Sequence, residues 1–463
     1  MTLKDLIIIG GGPGGYSAAI RGIQRGFKVA VIEQDRLGGT CLNRGCIPTK
    51  TLLYYAHLYS SVVQSPVFGD QSIPFHFEKI IDAKDEVVNK VVSGIQRLLA
   101  AHQVDVIKGK ASFINPHTIL VNKPDQSKEE IQGKSIIIAT GAKSEADPIL
   151  KVDGEKVIGT DDVLNLKALP KSIIIIGGGR RGIEFATFFN SFNVKVTLIE
   201  KEAQILPKMD REISIRLRAI MNRQGIKILN STKVTGIDMS GESLILTVEG
   251  RKGVEKIEAE KVLIPGTRKA EIATLNLEGA GVQTKDGFVS VNENLETTVR
   301  GVFAVGDVIG QSLSAHHALA TGLSLIDRLT GKKVSYNSNQ IPFCVYSNPE
   351  VASIGMTQEE AEKEQEVLVG KFPFAGAGRS QTLSEEDGIV KVVSSKKYGE
   401  ILGVHLLGPQ ATELISMASL AMKHELTVDM LGAAILPHPS LSESIGEAVW
   451  DLKNEALHSL KNW

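Results

Sequence analysis

An α/β fold with two similarly built halves and a further α+β region is predicted by three features of the sequence. Near the N-terminus an apolar strand at residues 6–9 leads into Gly10-Gly11-Gly12-Pro13-Gly14-Gly15. A small-residue helix with Ser17, Ala18 and Ala19 follows, then a strand at 29–32 ending in Glu33. The same order recurs about 167 residues further on: a strand at 172–176, Gly177-Gly178-Gly179-Arg180-Arg181-Gly182, a helix from about Ile183, and a strand at 194–199 ending in Glu200. From about Val334 the composition changes to alternating strands at 389–393 and 402–407, with helices after His438-Pro439.

Each glycine unit is a GxGxxG between a strand and a helix, with an acid at the end of the next strand. The glycines allow a tight turn and close approach of a pyrophosphate to the helix N-terminus, and the acid accepts from a ribose diol. With strand, helix and acid in register, both units read as Rossmann-like dinucleotide-binding folds. Between them lie expected helices at 54–63 and 77–102 and a strand at 135–141, with a polar, irregular boundary at 142–156. The strand-like segment 301–307 closes the first fold.

At 463 residues the chain exceeds a single core and fits two to four domains. Hydrophobic content of 42% and charged content of 23% are those of a globular protein. A net charge of −1 offers no basic excess, which excludes nucleic acid as the main partner. No apolar run reaches the roughly 18–20 residues that span a bilayer. Met1 leads almost directly into the first strand, leaving no room for a signal or transit peptide, so a cytoplasmic location is expected.

Two of the three cysteines, Cys41 and Cys46, lie five positions apart just after the first glycine turn. Three cysteines are too few for a disulfide scaffold, and in a reducing compartment a close pair reads as redox-active. In an ideal helix residues five apart have Cα atoms about 8.6 Å apart, whereas a disulfide needs roughly 4.4–6.8 Å. The helix must therefore be distorted between them, at Asn43 and Gly45. Two buried thiols with no redox role are the plainer alternative. Cys344 stands alone and is expected to be a small core residue. His438 precedes a proline and is expected on a loop. Ser440 and Glu443 have capping-box spacing, which places Glu443 in a first helical turn. No metal-ligand spacing is present.

The glycine turns, Ala139-Thr140-Gly141, Gly306-Asp307, the CxxxxC and His438-Pro439-Ser440-Leu441-Ser442-Glu443 together resemble the class I pyridine nucleotide-disulfide oxidoreductases over the whole chain. Within that family, Cys41-Leu42-Asn43-Arg44-Gly45-Cys46-Ile47-Pro48-Thr49-Lys50 is similar to the lipoamide-oxidising branch. The resemblance implies FAD and NAD as cofactors. It implies an FAD-binding domain at 1–145 and 268–335, an NAD-binding domain at 146–267 and an interface domain at 336–463. FAD would be held by Gly10, Gly12, Gly15, Glu33, Gly39, Thr40, Lys50, Ala111, Ala139, Thr140, Gly141, Asp307 and Ala315. NAD would be held by Gly177, Gly179, Gly182, Glu200, Val234 and Gly266.

By the same resemblance Cys41 exchanges with a dithiol substrate and Cys46 faces the flavin. Lys50, paired with Glu184, stabilises charge on the flavin as it is reduced. His438, oriented by Glu443, is the acid–base group and serves the other subunit of a homodimer. The partner implied is a lipoyl-bearing carrier protein of a 2-oxoacid dehydrogenase or glycine-cleavage type complex. Three segments depart from the family pattern. Arg180 and Arg181 replace apolar residues. Residues 265–271 replace Gly-Arg-x-Pro-Asn, and 142–145 lack the usual proline. All three are expected around the NAD half, away from the flavin. Two other readings remain: a flavin–disulfide enzyme whose modified nucleotide site serves another electron partner, and a lipoyl-complex binding protein without redox function.

Overall fold

The computed structural model describes residues 3–65, 67–68, 73–145, 149–332, 334, 337 and 340–459. The expected boundaries at 145/146 and 335/336 fall on residues outside that set. The chain divides into two compact units, the first comprising Met1–Leu52, His76–Ala146 and Gly266–Tyr336.

In this first unit β1 (Leu3–Ile9), α1 (Pro13–Gln24) and β2 (Val29–Glu33) form the anticipated βαβ unit, with the two strands parallel. The cysteine segment follows as α2 (Gly39–Arg44) and α3 (Cys46–Val63), which runs on past the unit's edge, and then comes α4 (Phe77–Ala101). The strands β3 (Asp105–Lys108), β4 (Lys110–Asn115), β5 (Thr118–Asn122) and β6 (Lys128–Ile138) complete a seven-stranded sheet of order β3-β2-β1-β6-β5-β4, with strand Val302–Ala304 also paired to β6. Its centre is parallel: Ile7 lies between Ala30 and Ile136, and Ile137 opposite Phe303. Strands buried on both faces need continuous apolar runs, and Ile7, Ile8, Val31, Ile136 and Ile137 are fully buried. Each such side chain contributes about 1.5–3 kcal/mol by leaving water. Small residues let α1 approach its neighbours. A Cβ at Gly22 would lie 2.9 Å from Val29, and one at Gly322 would lie 2.5 Å from the Gly14 carbonyl.

The second unit comprises Leu53–Phe75, Asp147–Pro265 and Asn337–Trp463. Its parallel sheet has the order Lys227–Leu229, Lys195–Ile199, Ser172–Ile176, Lys261–Ile264, Val157–Gly159. A five-stranded antiparallel sheet, which includes Ile389–Ser395 and Ile401–Gly408, carries helices Ala411–Lys423 and Glu443–Asp451. Between the two sheets sits a buried ionic cluster. Asp210 caps helix Arg211–Arg223, and both its carboxylate oxygens accept from Lys391 Nζ, at 3.0 and 2.9 Å. His405, fully buried, hydrogen-bonds Met356 O and Ser353 Oγ, each at 2.9 Å.

Two helix starts differ from expectation. The helix expected from Tyr54 begins at Cys46, because Pro48 sits in its first turn, where a missing N–H costs nothing. The helix expected from Ile183 begins at Arg180, directly on Gly179 as N-cap. Cys344 is half-buried on the edge strand Phe343–Val345 rather than inside the core, since an edge strand leaves one side uncovered.

Candidate active site

The cysteine pair is built by a helix break. α2 ends at Gly45, with φ −134° and ψ −112°, and α3 starts at Cys46. A Cβ at Gly45 would lie 2.8 Å from Thr40 O, so a side chain is excluded where the axis changes. Asn43 Nδ2 donates to Leu37 O at 3.0 Å and Gly39 O at 2.9 Å, which ties the start of α2. Gly38 N donates to Gly11 O at 2.8 Å and fastens the segment to the glycine turn. Cys41 and Cys46 are both half-buried, and their side chains are close enough to interact. The Cys46 side chain and burial push the Cys41 thiol strongly up, while the Cys46 backbone and Lys50 pull it down. Lys50 lies about one turn beyond Cys46 on α3. Tyr16, which sequence reasoning missed, is also pushed up, by burial first and then by both cysteines. No sequence signal marks it, because its proximity to them is tertiary.

Around the first glycine turn the backbone forms a close cradle. Gly10 has φ +106°, and a Cβ there would lie 2.4 Å from Ala139 O. A Cβ at Gly15 would lie 1.8 Å from Gly10 O, and one at Gly39 would lie 2.8 Å from Gly12 Cα. Gly12 caps α1 without a side chain and no acid occupies the first turn, so the N–H groups of that turn face an anion site. Glu33 accepts from Gly11 N at 2.7 Å and Asp35 N at 2.8 Å. Thr140 Oγ1 is buried with no hydrogen-bond partner among the described residues, a polar atom ready for a ligand. Ala139 is buried beside the turn, Ala111 is buried on β4, and Gly141 has φ +74°. Asp307 opens the short helix Gly306–Ile309, and Ala315 begins helix Ala315–Leu329. This donor-rich, carboxylate-edged cradle fits FAD.

The second turn repeats the geometry. Gly177 has φ +109°, a Cβ at Gly182 would lie 1.8 Å from Gly177 O, and Gly179 caps its helix. Glu200, 5% exposed, accepts from Gly178 N at 2.6 Å and Glu202 N at 2.9 Å. Nothing would obstruct a Cβ at Gly179, so a pyrophosphate has room, and the residues fit NAD. Val234 is half-buried on strand Lys233–Asp238. Glu184 is 1% exposed, and its Oε1 accepts from Tyr346 N at 3.1 Å. The Arg180 guanidinium lies over the Phe343 ring, 5.7 Å from its centroid.

The location expected for two of the three departures is corrected. Residues 142–145 and 266–271 belong to the first unit, as a ribbon in which Ala142–Ser144 pairs with Arg268–Ala270. Arg268 forms an ion pair with Asp307 at 3.2 Å, so this departure reaches the carboxylate expected at the flavin. Gly266, expected at NAD, also lies in the first unit. The unfamiliar sequence at 265–271 was a signal for Arg268, but its partner is 39 residues away.

His438 lies on a loop and is exposed, with Nδ1 2.8 Å from Glu443 Oε1. Glu443 Oε2 accepts from Ser440 N at 2.7 Å. Desolvation works to raise the Glu443 pKa, but the hydrogen bonds from His438 and Ser440 outweigh it and hold the carboxyl below its ordinary range. Glu443 opens helix Glu443–Asp451 as expected, but the N-cap is Ser442 rather than Ser440. Among the described residues no helix is long and apolar enough to cross a membrane, and no three His, Cys, Asp or Glu side chains are grouped to hold a metal ion.

A family model described as pyridine nucleotide-disulphide oxidoreductase matches residues 4–322, and the corresponding dimerisation domain matches residues 341–449. The chain is 38% identical over 471 residues to the dihydrolipoyl dehydrogenase of Bacillus subtilis (strain 168), covering 99% of each. It is 40% identical over 467 residues to that of Thermus scotoductus, covering 99% of this chain and 100% of the other. Among solved structures it is similar to the Cu(II) complex of the HOCl-induced flavoprotein disulfide reductase RclA from Escherichia coli. That match has a TM-score of 0.87 and 31% identity, and covers 97% of this chain and 99% of that one. Similarity over the full length places the chain in the pyridine nucleotide-disulphide oxidoreductase family, as an FAD- and NAD-linked enzyme that dimerises through its C-terminal domain.

Proposed function

We propose that this enzyme oxidises dihydrolipoyl groups carried on a lipoyl-bearing protein of a 2-oxoacid dehydrogenase or glycine-cleavage type complex, in the cytoplasm. The observation that carries the reading is the pair of half-buried cysteines that the helix break at Gly45 brings together, with Lys50 a turn away. In the oxidised enzyme Cys41 and Cys46 form a disulfide. A substrate thiolate attacks the Cys41 sulfur and Cys46 leaves as thiolate. The second substrate thiolate then displaces Cys41. The substrate ends as a disulfide and the enzyme as a dithiol, so two electrons and two protons are accounted for. His438 takes a proton from the substrate thiol. Glu443, held ionised by Ser440 N–H, fixes the ring so that Nε2 is the accepting atom. FAD, when bound, supplies the two-electron link from this dithiol to NAD.

Residues 1–145 and 268–335 hold FAD in this reading, through the first glycine turn, Glu33, Gly39, Thr40, Lys50, Ala111, Ala139, Thr140, Gly141, Asp307 and Ala315. Residues 147–265 hold NAD through Gly177, Gly179, Gly182, Glu200 and Val234. Lys50 stabilises charge on the flavin as it is reduced, Glu184 is a further catalytic residue in this reading, and residues 336–463 bring His438 to the partner subunit's disulfide.

The half-reaction is testable without flavin or NAD. Anaerobic addition of dihydrolipoamide to oxidised, flavin-stripped enzyme generates two titratable thiols per chain in the wild type and none above background in Cys41→Ser. His438→Gln slows the exchange by roughly 10²–10⁴-fold near neutral pH. Wild-type enzyme that gains no thiols disproves the proposal.

A further inference from the structure

The ribbon of the first unit directs its side chains to two faces. Arg268 stands opposite Ser144 and Lys269 opposite Lys143. Backbone bonds close both ends, from Glu145 N to Thr267 O and from Glu271 N to Gly141 O, each at 2.9 Å. On the outer face Lys143 pairs with Glu271 at 2.9 Å, and Lys269 pairs with Glu145, which also accepts from Thr267 Oγ1 at 3.1 Å. Strand alternation sends Arg268 to the other face. There Nη1 lies 3.2 Å from Asp307 Oδ2, and both side chains are only 16% exposed. The outer lysines are 60% and 57% exposed, a setting in which an ion pair contributes about 0–1 kcal/mol. The inner pair is largely out of water, where losing one partner is far more costly.

The cradle beside this pair already holds two carboxylates, Glu33 and Asp307, and must accept a dinucleotide whose pyrophosphate is anionic. A cation that offsets Asp307 removes part of that repulsion. We infer that Arg268 is a flavin-positioning residue, held by the ribbon so that it neutralises and orients Asp307 for the sugar-alcohol chain of FAD. This rests on the assignment of FAD to the first unit. The alternative role for the pair is a brace that only holds the ribbon in place.

The two roles separate in FAD titrations of apoprotein, read as quenching of flavin fluorescence at low and high salt. Arg268→Met raises the Kd for FAD roughly tenfold or more and flattens its salt dependence. Arg268→Lys keeps the charge without the fork and recovers part of the loss. Arg268→Met combined with Asp307→Asn binds no more weakly than the weaker single variant, because each removes the same interaction. A Kd for Arg268→Met within about twofold of wild type, or losses that multiply in the double variant, overturns the inference in favour of the brace. If Arg268→Met does not fold, Arg268→Gln takes its place, and a wild-type Kd and salt slope in that variant overturn the inference equally. If Asp307→Asn alone binds FAD as the wild type does, the site assignment fails and takes the inference with it.

Discussion

The two glycine turns of this chain share one backbone and stand in different surroundings. Gly10 and Gly177 have φ +106° and +109°, and Gly12 and Gly179 cap their helices at φ −74° and −77°. Glu33 and Glu200 hold the middle glycine N–H at 2.7 and 2.6 Å. At the first turn a Cβ on Gly10 would strike Ala139, and Gly39 leaves Gly12 little more than backbone contact, so the cradle is walled by main chain. At the second turn nothing would meet a Cβ on Gly177 or Gly179. The first helix begins with Pro13 and the second with Arg180, whose head rests on Phe343. A short local pattern is thus enough to set a phosphate-ready turn, and the neighbours decide how tightly the site encloses its ligand.

The largest test breaks what fastens the second fold to the sheet beside it. Desolvation opposes ionisation of Asp210, but His405 and Lys391 outweigh it and its pKa falls. Asp210→Asn leaves Lys391, 2% exposed, with Glu212 at 3.5 Å as its remaining acidic partner among the described residues, and costs about 3 kcal/mol or more in denaturant titrations. Adding Lys391→Met recovers much of that loss, and no recovery would mean the pair is not the fastening. Burial holds the His405 pKa down, with Asp210 and Met356 O opposing that effect and Lys391 and Glu359 also nearby. Asp210 and His405 both bind fewer protons folded than unfolded. Stability therefore declines as pH falls below about 6.5, the unfolded His value, and again below about 3.9 for Asp210. His405→Gln removes the first decline, and an unchanged profile assigns it to another group.

The glycines give the next effect. Gly15→Ala and Gly182→Ala create the same 1.8 Å conflict with a carbonyl and differ only in the ligand lost. Each costs about 1–3 kcal/mol through forced backbone movement. Flavin content falls in Gly15→Ala and is kept in Gly182→Ala, whose NAD affinity, measured by calorimetry, falls instead. Equal flavin loss in both would erase the distinction between the turns.

The smallest effect belongs to Arg180. Arg180→Leu removes a cation–aromatic contact of about 0.5–1 kcal/mol and alters the NAD KM by roughly two- to fivefold, with flavin content unchanged. An unaltered KM would show that this departure does not touch NAD use.

Both glycine units, the central strands, the break at Gly45 and the His438–Glu443 element were legible in the sequence because each rests on contacts within a few residues. Turn conformation, helix capping and strand alternation are short-range consequences of residue type. The helix starts at Cys46 and Arg180 were misplaced by eight and three residues, since Pro48 and the two arginines look like interruptions until the cap is known. The ion pairs Arg268–Asp307 and Asp210–Lys391 join residues 39 and 181 positions apart, and Arg180 meets Phe343 across a similar gulf. No local pattern encodes such pairings. They exist because the core places two strands and a loop at one depth, where a charge out of water must find its partner. Sequence alone therefore determined two nucleotide turns and a cysteine pair; only the tertiary structure brought the altered ribbon to the carboxylate expected at the flavin.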